Sequence, residues 1–140
     1  MKLAGFCLLA LCSSAFAFSP RCDVHTWHDI RSTEGSWKIT MRMISQAGLL
    51  VDESCQPVNE FQISPTRGLR YGFGFSDDAS FDIAYTITAI KETTGFESQT
   101  CVFVVTANGP AQPDINALAY HGAYCDWKVV PGIGEDFTVG

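Results

Sequence analysis

Residues 99–107 alternate Cys101, Phe103, Val105 and Ala107 with Val102, Val104 and Thr106, so an extended chain here is apolar on both sides. That pattern predicts a strand covered on both faces, and this segment is the expected central strand. Upstream, residues 37–44 alternate apolar with polar, and Trp37, Ile39, Met41 and Met43 define the core face of a half-buried strand. Residues 49–51 form a short apolar run. Residues 61–63 lie between Pro57 and Pro65, which limits them to a short edge strand.

The next run, residues 69–75, places Tyr71, Phe73 and Phe75 on one face and leaves the other bare at Gly72 and Gly74. Alternating glycines predict a close neighbour on the bare face, for which Trp127 is a candidate. Residues 81–90 read as a long strand with Phe81, Ile83, Tyr85 and Ile87 on one side. A loop stiffened by Pro110 and Pro113 follows the central strand. Strand character then resumes over residues 115–130 with a bend at Gly122, and residues 137–139 add an edge strand.

The exception is residues 23–34, where Val24, Trp27, His28 and Arg31 would share one face of a short N-terminal helical turn. With six to eight short strands otherwise, the expected fold is all-β, a small antiparallel β-sandwich or partly open barrel with two disulfides.

Composition adds a compartment. Lys2, an apolar run over residues 3–11 and the A-x-A site of Ala15, Phe16 and Ala17 read as a cleaved signal peptide, leaving residues 18–140 as one domain. Lipid attachment at Cys12 fits less well, because Leu11 stands where a small residue is wanted. The expected location is secreted or periplasmic, without membrane insertion. Loss of Lys2 moves the formal net charge from −6 to −7, and no basic patch is visible, which argues against a nucleic-acid partner.

Cleavage also removes Cys7 and Cys12. Cys22, Cys55, Cys101 and Cys125 remain, and four thiols in an exported chain predict two bridges worth about 2–4 kcal/mol each. Three pairings are possible, and the expected one is Cys22–Cys55 with Cys101–Cys125. Zinc is disfavoured by the lack of any C-x-x-C pair.

Candidate chemistry is sparse. His25 and His28 are three apart and could share a metal on a helix, or act with His121 and a carboxylate, although surface or locally bonded histidines explain the same residues. Met41 and Met43 beside Trp37 could hold Cu(I), but core packing accounts for them. Asp77, Asp78 and Asp82 match no Ca²⁺ loop. No nucleophile motif is present, and no cofactor is expected.

Candidate binding residues are therefore Tyr71, Phe73 and Phe75 with His25, His28 and His121. The function read from these features is a non-enzymatic binding module for a protein or glycan, with no oligomeric state implied. A small hydrolase using His25 or His28 with His121, or a Cu/Zn-binding protein, is the alternative.

Overall fold

In a computed structural model the described residues are 24, 26–44, 49–74, 82–92, 97–108, 113–131 and 134–140. The expected signal peptide, His25, Phe75, Asp77, Asp78 and Phe81 lie outside them, as does Cys22. Ten strands follow in order: β1 Trp27–Ser32, β2 Trp37–Met43, β3 Leu49–Asp52, β4 Glu60–Ile63, β5 Leu69–Gly74, β6 Asp82–Lys91, β7 Thr100–Asn108, β8 Asp114–Tyr120, β9 Cys125–Val130 and β10 Gly134–Val139. They form two five-stranded sheets, ordered β3-β5-β1-β10-β9 and β4-β2-β6-β7-β8. Every pairing is antiparallel except β1 with β10.

The sandwich closes because each strand turns its apolar alternate residues inward. Trp37, Ile39 and Met41 of β2, Tyr85, Ile87 and Ala89 of β6, and Cys101, Phe103 and Val105 of β7 supply the core from the second sheet. Ile30, Leu69, Tyr71, Phe73, Phe137 and Val139 meet them from the first. Phe103 and Phe137 pack edge to face across the interior, with ring centroids 5.0 Å apart.

Six connections carry the chain between sheets, and two of them, β1 to β2 and β8 to β9, show how the turn is made. After β1, Ser32 Oγ donates to the carbonyls of Glu34 (3.0 Å) and Gly35 (2.8 Å), and the Trp37 indole N–H donates to Glu34 O at 2.9 Å. Gly35, with φ of 74°, supplies the left-handed residue this turn requires. Between β8 and β9, His121 (φ 57°) and Gly122 (φ 76°) are both left-handed. The bend expected at Gly122 is thus a crossover from one sheet to the other.

The Cys101–Cys125 bridge joins β7 to β9 with a Cα–Cα distance of 5.6 Å, and so ties the two sheets together beside this crossover. Cys55 is also disulfide-bonded. The bridge expected for it falls on Cys22, outside the described residues.

Four expectations are corrected. Trp27–Ser32 is a strand, and no helical turn occurs there: β1 is held between β5 and β10, and inter-strand bonding on both sides overrides a weak local helical pattern. Residues 137–139 belong to an interior strand, with Phe137 and Val139 fully buried between β1 and β9. The middle of the second sheet is β6, and β7 is covered on one face only, its Val102 and Val104 remaining half-exposed. Finally, the neighbours at the bare face of Gly72 are Val24 and Trp27, not Trp127: a Cβ there would collide with the Val24 side chain and lie 3.3 Å from the Trp27 ring.

Candidate functional site

Alternation along β1 turns His28, Ile30 and Ser32 inward. The parallel register Asp29↔Asp136 brings Glu135 of β10 alongside His28, and the antiparallel register places Tyr71 of β5 opposite it. His28 Nδ1 contacts Glu135 Oε2, and the Glu135 backbone N–H points at the same nitrogen from 3.3 Å. Both side chains are buried, and among the described residues Oε2 accepts no hydrogen bond, the imidazole being the group beside it. Gly134 makes room for the imidazole, because a Cβ at that position would stand 3.1 Å from Nδ1.

The imidazole stacks on Tyr71 at 5.1 Å and meets the edge of Phe73 at 6.2 Å. Tyr71 then reaches across the sandwich, its hydroxyl 2.8 Å from that of Tyr85. Two buried polar pairs, Glu135 with His28 and Tyr71 with Tyr85, are thus joined by the stacking of the imidazole on the Tyr71 ring.

Burial, reinforced by the neighbouring phenol and the Glu135 charge, pushes the Tyr71 hydroxyl well above its usual range. Burial also pushes Tyr85 up, outweighing the opposing effect of its hydrogen bond to Tyr71. In each case the folded value lies above the unfolded value near 10. The stability these neutral phenols contribute is thus present in full below pH about 10 and is lost as pH rises from there toward the folded values. Unfolding monitored against pH should show stability falling above pH about 10, with two tyrosines failing to ionise until the domain opens. Free titration of all four tyrosines in the folded protein would contradict this placement.

On the outer side of the first sheet, register aligns Arg70, Asp29, Asp136 and Lys128 in one row across four strands. Arg70 grips Asp29 through two hydrogen bonds, Nε to Oδ1 at 3.0 Å and Nη2 to Oδ2 at 3.3 Å, while Arg31 Nη2 lies 3.6 Å from Oδ2. The carboxylate holds the Arg70 guanidinium above its ordinary range. A shallow depression of about 270 Å³ lies here, lined by Asp29, Arg31, Glu53, Gly68 and Arg70 among others. Its charges largely neutralise one another, so it offers little field to a single-signed ligand.

His28 and His121 do not converge, and His25 lies outside the described residues. His28 sits beside Glu135 at the start of β10, whereas His121 lies beyond Cys125, which pairs with Val139 at the end of that strand. About 13 Å of strand, at about 3.3 Å per residue, separates the two levels. His121 is exposed, its Nδ1 3.2 Å from Glu97 Oε2. Tyr71 and Phe73 are part of the core, and Met41 is buried in the opposite sheet from His28. Among the described residues no three His, Cys, Asp or Glu side chains are grouped to hold a metal ion.

A surface not singled out in the sequence is the outer face of the second sheet. Register aligns Tyr120, Thr100 and Ile90 in one row and Leu118, Val102 and Thr88 in the next. Leu118 is 48% exposed, Tyr120 47% and Ile90 39%, with half-buried Val102 beside Leu118 and half-buried Val104 in the following row, opposite Asn116. The signal for it was the two-sided apolarity of residues 99–107, which reads equally as a covered face or as an open contact surface. Among the described residues no helix is long and apolar enough to cross a membrane. Compared with protein-family models, curated proteins and solved structures, the chain matches none.

Proposed function

We propose that this chain is an exported, disulfide-stabilised β-sandwich that works as a non-enzymatic binding module for a protein or glycan. The observation that carries the reading is the apolar outer face of β6, β7 and β8, where Ile90, Leu118 and Tyr120 are exposed in adjacent rows with threonines between them. Contiguous exposed apolar surface on a small domain is a mark of an interaction site. Tyr120 adds an aromatic ring with a polar tip, a group suited to protein and sugar contacts alike. The Cys101–Cys125 bridge is compatible with an oxidising compartment outside the cytoplasm, as the signal-like leader requires.

The test pairs the folded protein with the double variant Ile90→Lys/Leu118→Lys on a glycan array and against a displayed library of extended peptides. The wild-type protein is expected to retain members of one library, and the variant to lose them while its thermal melt stays close to the parent. Binding that survives both substitutions, or none to either library, would overturn the reading.

A further inference from the structure

We propose that the β8 edge of this face pairs with a second copy of the chain, edge to edge in antiparallel register about a two-fold axis at Ala117. The proposal rests on the preceding reading of the β6–β8 face as a binding surface and makes a second copy the continuation of that face at its β8 edge.

Among the described residues four strands end the two sheets, and they differ in what guards their edges. The edge of β3 is covered, with Val51 bridged to Pro57 and the Val58 N–H donating to Leu50 O at 2.9 Å. Only four residues long, β4 is flanked by Pro57 and Pro65. Asp126 and Lys128 stand on the outer face of β9, the kind of charged blocking that discourages pairing. In contrast, β8 runs seven residues with neither proline nor lysine, and its one formal charge, Asp114, is at its start. Open hydrogen-bonding edges of this kind recruit another strand.

The strand is complementary to itself. A two-fold axis at Ala117 pairs Asp114 with Tyr120, Ile115 with Ala119 and Asn116 with Leu118 of the other copy, keeping inner-face residues opposite inner-face residues. On the inner side Ala117 then meets Ala117 of the other copy and Ala119 meets Ile115. The two Asp114 carboxylates fall at opposite ends of the new ladder, six residues or about 20 Å apart, beyond the screening length of about 8 Å at physiological salt. A parallel arrangement would set these two acids side by side. Pairing would fuse the two second sheets into one of ten strands and join the Leu118 and Tyr120 patches of both copies. Seven residues of strand edge bury less than the roughly 800 Å² per partner of a standard interface, so the association is expected to be weak and concentration-dependent.

Sedimentation velocity of the mature protein from micromolar to millimolar concentration reads this directly. The wild type is expected to pass from monomer to dimer, and Leu118→Lys to weaken the dimer about tenfold, as loss of two cross-strand pairs implies. Mixing Asn116→Asp with Leu118→Lys tests the register, because positions 116 and 118 face each other only with the axis at Ala117. The mixture is expected to form a heterodimer tighter than either variant alone. Far-UV circular dichroism and thermal melts establish that each variant is folded. A wild type that stays monomeric throughout overturns the proposal, and if the same protein still retains library peptides or glycans, the binding-module reading stands without it. Dimers indifferent to Leu118→Lys, or a mixture with no preference for the heterodimer, also overturn it.

Discussion

Phe103→Ala is expected to destabilise the domain by about 3–5 kcal/mol, lowering the melting temperature by roughly 10–20 °C. Phe103 lies on β7, flanked by β6 and β8, is fully buried, and stacks edge to face on Phe137 of the opposite sheet. Truncation loses the transfer energy of the ring and leaves a cavity at the level where the sheets meet, and a bridge at Cys101, two residues away, restrains collapse around it. Urea denaturation gives the number. A variant melting within a couple of degrees of the parent would place the core elsewhere.

His28→Ala is expected to cost a similar amount, about 3–5 kcal/mol, for a different reason. Glu135 Oε2 is buried with the imidazole as its partner, so removing the ring strands a carboxylate in the sandwich. The desolvation of that group, rather than any strength of the pair itself, sets the cost. It follows that the double variant His28→Leu/Glu135→Leu should lose less than His28→Ala alone, since replacing both partners by apolar groups of suitable volume removes the uncompensated charge. A double-mutant cycle by chemical denaturation decides it. Losses that simply add would show that the two residues act independently.

What can be read from the sequence follows the range over which the physics acts. Period-two alternation is local, so β2 with its core face of Trp37, Ile39 and Met41, the short edge strand β4, and the long β6 are legible from residue order alone. The Cys101–Cys125 bridge was the expected one of three pairings that residue order leaves open, and the sandwich makes it by bringing β7 and β9, in different sheets, within reach. The candidate site was much less visible. Its aromatic members Tyr71 and Phe73 stand out as a run, yet whether such a run faces core or solvent is set by what lies across the interior.

The sequence by itself determined an all-β chain, its strand faces and the turn at Gly122, because side-chain alternation and backbone freedom are properties of neighbouring residues. Tertiary structure decided the rest. Asp29↔Asp136 register, across more than a hundred residues, made β1 a strand and β10 an interior one, and the same pairing brought Glu135 to His28. Assignment of β8 to the end of the second sheet left Leu118 and Tyr120 exposed. Apolar alternation states which residues share a face, but only the arrangement of all ten strands settles which faces are covered, because burial depends on partners distant in the chain.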